Sequence, residues 1–319
     1  MGRPLTIAAG VLLVLLVIGI ATTLWRADRR SREARAAFPP LGQMVLVDGQ
    51  PVHALQMGSG PDLVLLHGAS GNLRDFTFAL APRLAQDFRV TLFDRPGLGH
   101  SPALAPRGVT LKDQADLLSR AAAQLGVTRP VVVGQSFGGA VALAWAVHFP
   151  DRIAGLVSVA GASHPWEGPI GADHRILAAP VLGPVVSTLA AAWVSTPYVN
   201  RQVAGAFDPQ QPPSGYTGHL GAALTLQSSV LRANAQQRVD LREELRQQSQ
   251  RYPTLDLPVE ILHGTADRIV GLDIHSRPLA ADVPGARLTV LPGIGHMPHH
   301  ASADAVTEAI TRAIRRSRP

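Results

Sequence analysis

The hydrophobic pattern of this chain changes character along its length. From Leu5 to Trp25 apolar residues follow one another almost without a break and without a charge, LTIAAGVLLVLLVIGIATTLW. About 20 such residues, at helical rise, cross the hydrocarbon of a bilayer. The run predicts a transmembrane helix over residues 5–25. A cleaved signal peptide would carry a shorter apolar core and small residues at its cleavage site. Here Thr22, Thr23, Leu24, Trp25 and then arginine follow, which favours an uncleaved, single-pass anchor. Residues 26–42 are arginine-rich, and the stretch from Ala36 to Leu41 contains Pro39-Pro40. They read as a basic juxtamembrane linker with a short stiff end.

From Gln43 the period shortens. Gln43–Val47 and Val52–Met57 flank Asp48-Gly49 as a hairpin-like pair of strands. Leu63–Leu66, Arg89–Phe93, Pro130–Val133 and Ile153–Ala160 are apolar runs of strand length. Between them lie helical stretches at Leu73–Phe88, Thr110–Leu125 and Gly138–Phe149. Strands apolar on both faces, alternating with helices, predict a parallel sheet covered on both sides. The rhythm breaks at residue 163. Residues 163–252 hold few strand-like runs, many prolines and long helical patterns, and read as a helical insertion. Inside it Ile176 to Val194 is strongly apolar, but Pro180, Gly183 and Pro184 favour short packed helices over a second span. Thr225 to Gln250 predicts an amphipathic helix or helix pair. Alternation resumes at Val259–Leu262, a helix over Asp273–Ala281, a strand over Arg287–Leu291 and a closing helix over Ala301–Arg316. The chain divides into an anchor, a linker, a core in two parts (43–162 and 253–319) and a cap (163–252).

The formal net charge of +6 suggests nucleic acid until it is located. Residues 1–35 carry six arginines against Asp28 and Glu33, and residues 311–319 carry four arginines and no acid. The folded body is therefore close to neutral, and nucleic-acid binding loses its support. Arginines cluster just after the apolar run, so the positive-inside rule places the body on the cytoplasmic side. The same arginines would bind anionic headgroups. The chain has no cysteine, which excludes disulfides, thiolate metal sites and cysteine nucleophiles.

The candidate chemistry gathers at strand ends, where parallel sheets place their sites. Val131-Val132-Val133-Gly134-Gln135-Ser136-Phe137-Gly138-Gly139 is a strand, then G-x-S-x-G, then a helix. In that context the motif is a nucleophile elbow, whose sharp turn needs glycine at Gly134 and Gly138. It lifts the Ser136 hydroxyl clear of the sheet and aims the Phe137 N–H at the same space. A serine hydroxyl needs a base and an orienting acid. Asp267 and His296 follow later strands, in the order Ser, Asp, His expected of such a sheet. Arg268 offers Asp267 a rival role as an ion-pair partner. His67, His100 and His263 read as residues that shape loops or pair with backbone, and His299 and His300 as helix-start or rim residues. The loop His67-Gly68-Ala69 supplies the Ala69 N–H as a second oxyanion donor beside Phe137.

Taken in order, HGASG, DRPGLGHS, GQSFGG, HGTADRIV and GIGHM make the chain resemble the α/β-hydrolase superfamily from about Gln43 onward. The resemblance implies an eight-stranded, mostly parallel sheet with the insertion as a cap. It also implies Ser136–His296–Asp267 as a catalytic triad, with Phe137 and Ala69 as oxyanion donors. The anchor and cap look like membrane-bound monoacylglycerol-lipase-type members. A serine at position 136 sets the chain apart from the relatives with a carboxylate nucleophile and implies acyl transfer, without metal or organic cofactor. The expected substrate is a carboxylic ester, small or lipidic; thioester, amide and carbon–carbon cleavage use the same parts. A non-catalytic ligand-binding protein on the same scaffold is the alternative of another class.

Overall fold

The computed structural model describes residues 2–104 and 109–318. It begins with a single helix, α1 (Gly2–Ala37), whose apolar stretch is long and hydrophobic enough to span a membrane and is not buried by the rest of the chain. The helix does not stop at Trp25. It continues through the arginine-rich stretch, so the expected linker is helical as far as Ala37. Pro39 and Pro40 follow its end, where proline blocks helix continuation.

Eight strands form one sheet: β1 (Gln43–Val47), β2 (Gln50–Met57), β3 (Asp62–Leu66), β4 (Arg89–Phe93), β5 (Val131–Gln135), β6 (Gly155–Val159), β7 (Val259–Gly264) and β8 (Arg287–Leu291). Their order is β1-β2-β4-β3-β5-β6-β7-β8. β1 and β2 pair antiparallel, as do β2 and β4, and every other pair is parallel. Alternate strand residues feed two cores. Val64, Leu66 and Val132 pack on one face with α4 (Leu111–Gln124) and α5 (Phe137–His148). Leu63, Leu65, Val131 and Val133 pack on the other with α2 (Arg74–Thr77), α3 (Leu80–Leu84) and α13 (Ala303–Ser317). This is the α/β-hydrolase fold. The helix expected over Leu73–Phe88 is two short ones, because Pro82 has no N–H to bond Phe78 O and the chain kinks at Ala79. The last expected helix is α13, preceded by the short α12 (Pro298–Ala301), while α11 spans Ser276–Asp282.

Between β6 and β7 lie α6 (Ala172–Ala178), α7 (Leu182–Trp193), α8 (Thr196–Gly205), α9 (Tyr216–Leu220) and α10 (Ser228–Ser249). α6 and α7 meet at a bend of 109°, at the predicted Pro180 break. α7 packs along α1. There the arginines meet the cap instead of standing free. Arg30 donates to Ala192 O (3.0 Å) and Val194 O (2.7 Å), and Arg26 to Ala192 O (3.4 Å). Arg35 donates to Gln227 Oε1 at 2.7 Å. Arg26 also stacks on Trp193, 4.4 Å from its ring centre. Arg29 and Arg32 pair with Glu33 and Asp28 on the same helix. The basic end of α1 is thus bolted to the cap.

The cap also grips the core through Glu244 of α10, whose carboxylate accepts the Leu111 N–H at the start of α4. Burial pushes its pKa up to about 7 in spite of that bond. A carboxyl whose folded pKa is raised binds protons more readily in the native state, so stability falls as pH rises from the ordinary glutamate range through about 7. Glu244→Gln is therefore expected to unfold at a higher temperature than wild type at pH 8 and at the same temperature near pH ~4. Melting curves at the two pH values check this; a constant offset between the proteins would refute it.

Candidate active site

Ser136 stands between β5 and α5 at φ 53°, ψ −120°, a left-handed conformation that strains any residue with a Cβ. The turn closes because nothing projects from its flanking glycines. A Cβ on Gly134 would strike Gly138 O, and one on Gly138 would strike Leu66 O. Phe137 is the first residue of α5, so its N–H has no intrahelical acceptor. Across from it, Gly68 lies against Ser136: a Cβ there would press on the Ser136 Cβ and the Gln135 side chain. Ala69 and its N–H follow directly.

Asp267 and His296 come together from the loops after β7 and β8. His296 Nδ1 lies 2.7 Å from Asp267 Oδ2. The other oxygen, Oδ1, accepts the N–H groups of Ile269 (2.8 Å) and Val270 (3.0 Å). Arg268 is not a rival: it is exposed and pairs with Asp208 at 3.6 Å. Gln135, just before the serine, donates to His296 O at 3.1 Å and ties the histidine loop to the elbow. Ser136 and His296 are both largely buried.

Sequence reasoning missed three features. First, His263 does more than shape its loop. Its Nε2 faces two acceptors, Val270 O at 2.7 Å and Asp267 Oδ2 at 3.2 Å, so it carries the proton. Its Nδ1 then accepts from the Ser276 hydroxyl at 2.6 Å. Burial alone would raise the Asp267 pKa, but the hydrogen bonds from His263 and His296, with the Val270 N–H, hold it well below the ordinary carboxylate range.

Second, His299 and His300 are not rim residues. Their side chains are buried, and both Nε2 atoms meet Asp75, at 3.1 and 2.8 Å. The Tyr216 hydroxyl of α9 donates to the same carboxylate at 2.6 Å. Burial opposes ionisation of Asp75, yet His299 and His300 outweigh it and hold its pKa well below the usual value. The ligand-type atoms of Asp75, His299 and His300 lie within 4.8 Å of one another, as a metal site would require. The outer shell does not fit one. A metal-bound imidazole donates its other ring N–H to an acceptor, and the Nδ1 atoms of both histidines are buried without partners. The cluster fits a carboxylate clamp that fastens the histidine loop, α2 and cap helix α9 together.

Third, Arg95 of the DRPGLGHS loop is completely buried beside the His67-Gly68-Ala69 loop. Its Nε donates to His67 O (2.9 Å) and its Nη2 to Gly68 O (3.1 Å). His67 accepts the Arg95 N–H on Nε2 and donates from Nδ1 to Gly68 O at 2.9 Å. Burial, with Arg95 close by, lowers the His67 pKa to about 4, so the ring is neutral at pH 7. On the cap side Ser70 N–H donates to Asn234 Oδ1 of α10 at 2.8 Å. Apart from the bond between the adjacent His67 and Gly68, none of these partners is readable from spacing, because each joins separate elements of the chain.

A strained serine elbow, an Asp–His pair whose loop Gln135 ties to that elbow, this sheet and this inserted cap together define a class. The family described as alpha/beta hydrolase fold matches residues 61–303, and the chain belongs to it. One relative is a pimeloyl-[acyl-carrier protein] methyl ester esterase of Nitrosomonas europaea. It is 31% identical over 269 residues, covering 77% of this chain and 93% of the relative. Among solved structures, an esterase from Thermogutta terrifontis aligns with TM-score 0.68 at 21% identity, over 87% of this chain and all of its own. A membrane phospholipase A aligns over 99% of both chains, with TM-score 0.65 and 22% identity. At such identities the structural matches establish the fold.

Proposed function

We propose that this protein is a membrane-anchored serine hydrolase that cleaves carboxylic esters, with lipidic monoacyl esters as its substrate class. The observation that carries the chemistry is the Asp267–His296 bond of 2.7 Å in a loop that Gln135 ties to a serine held at φ 53°. In this reading His296 takes the Ser136 proton while the hydroxyl oxygen attacks the ester carbonyl. The N–H groups of Phe137 and Ala69 hold the oxyanion, and Asp267 stabilises the imidazolium. His296 then protonates the leaving alcohol. A water deprotonated by the same ring cleaves the acyl-enzyme and restores Ser136. The methyl ester esterase relative supports ester chemistry.

The lipid part rests on the anchor and on α7. The helix exposes Leu182, Val185, Leu189 and Trp193 in one stripe and packs beside α1. Apolar residues left exposed next to a span suit contact with acyl chains, and anchoring concentrates the enzyme where a lipidic ester resides. The arginines after the span favour a cytoplasmic body.

Full-length protein in mixed micelles, treated with a fluorophosphonate, is expected to carry the adduct on Ser136 by peptide mass. Ester hydrolysis should rise with acyl length and with micelle surface. Folded protein that takes no adduct and cleaves no ester would point to the binding-protein alternative. Activity confined to short soluble esters and indifferent to micelles would remove the lipid assignment alone.

A further inference from the structure

The buried guanidinium of Arg95 is unusual in its company. Among the described residues, its hydrogen-bond acceptors are all neutral: His67 O, Gly68 O, Gln114 Oε1 at 2.8 Å and Gln237 Oε1 at 2.9 Å. No carboxylate touches it. The acid next to it in sequence, Asp94, is occupied by His53 Nδ1 and by the N–H groups of Leu73 and His100. A buried charge normally finds an opposite charge. Here one is kept whole, in a dry site where its field is little screened.

Its position gives that field a target. Gly68 O belongs to the peptide unit whose N–H is that of Ala69. The carbonyl accepts from both Arg95 and His67, which polarises the unit and makes the Ala69 N–H a stronger donor. The guanidinium also lies over the Phe137 ring, 4.3 Å from its centre. Phe137 carries the other N–H. One cation therefore backs the Ala69 donor through its peptide and lies against the side chain of the residue that carries the other.

We propose that Arg95 is a positioning residue for oxyanion stabilisation, whose unpaired buried charge polarises the Ala69 peptide and favours negative charge on the reacting carbonyl oxygen. This rests on the serine ester hydrolase reading above. Arg95 does not touch the substrate; it acts through the backbone and through its field. Two cap and core glutamines, Gln237 and Gln114, satisfy its N–H groups without neutralising it.

Gln114 offers the test. Its Oε1 binds Arg95, whereas its buried Nε2 has no partner. Gln114→Glu therefore exchanges a partnerless amide nitrogen for an oxygen of nearly the same shape. The new carboxylate pairs with Arg95 and cancels its charge while keeping the packing. In full-length protein in detergent micelles, this variant is expected to keep its melting temperature and KM, to lose about tenfold in kcat, and to bind a trifluoromethyl ketone less tightly by the same factor. The ketone's adduct with serine carries the oxyanion and so reports its stabilisation directly. Arg95→Met should lose more, with Arg95→Lys between it and wild type.

Wild-type kcat and ketone affinity in Gln114→Glu would overturn the proposal, as would losses confined to KM or to thermal stability. If wild type turns over ester and only these variants match it, the inference alone fails. If wild type neither labels at Ser136 nor turns over, the hydrolase reading fails and this inference falls with it.

Discussion

Ser136→Ala is expected to lower ester hydrolysis by a factor of about 10⁴ to 10⁶ while leaving the fold intact. In the proposed mechanism the loss is large because the serine oxygen is the atom that forms the acyl-enzyme; without it only water held near the proposed oxyanion donors remains. The fold should survive for a local reason. Alanine at φ 53° carries the same Cβ strain that serine already bears, and the neighbouring glycines, not the hydroxyl, make the turn possible. Circular dichroism and melting temperature should match wild type, and fluorophosphonate labelling should vanish. Residual turnover near the wild-type rate would mean that another residue is the nucleophile.

The second large effect is expected at the acid. Asp267→Asn should reduce kcat by about 10⁴-fold and also lower the melting temperature. Oδ1 is held by the N–H groups of Ile269 and Val270, so an amide oxygen will keep that side. The amide NH₂ must then take the place of Oδ2, where His296 Nδ1 and His263 Nε2 both converge. Facing an NH₂, His296 is pushed to the tautomer that carries its proton on Nε2, and it can no longer accept one from serine. Facing the same NH₂, His263 has a donor opposed to a donor, which is the source of the stability loss. The wild-type carboxylate, with its pKa depressed, adds stability at neutral pH that is lost as pH falls toward that depressed value. The variant should lack this acid sensitivity. Kinetics together with melting curves between pH ~3 and 8 test both halves; a variant with wild-type kcat would remove Asp267 from the mechanism.

The chemistry of the candidate site was more legible than its support. G-x-S-x-G after a β-branched run announces its own geometry, because the clash of a Cβ at either glycine is a local event. Most of the support is not local, and even the near pairing of His263 depends on a turn. His263 looked like one more histidine before a glycine, and only the folding of the loop through Val270 brings its ring to Asp267. His299 and His300 looked like rim residues because nothing in the sequence points to Asp75, more than 220 positions earlier. Arg95 sat inside a recognised motif, yet its reach to Gln237 spans 142 positions and depends on how the cap settles.

What the sequence determined by itself is what short-range physics dictates. The apolar length of residues 5–25, the alternation of fully apolar strands with helices, and the glycine-framed serine each follow from contacts within a few residues or from a simple match to bilayer thickness. The order Ser136, Asp267, His296, after β5, β7 and β8, adds only the topology of a parallel sheet. The tertiary structure alone decided that α1 runs on past its apolar stretch to Ala37 and that Arg26, Arg30 and Arg35 bind the cap. It alone decided that a charge without a counter-charge stands behind the Ala69 peptide. Those are long-range pairings, fixed when the inserted helices pack down on the sheet, and no period or spacing along the chain encodes which side chains then meet.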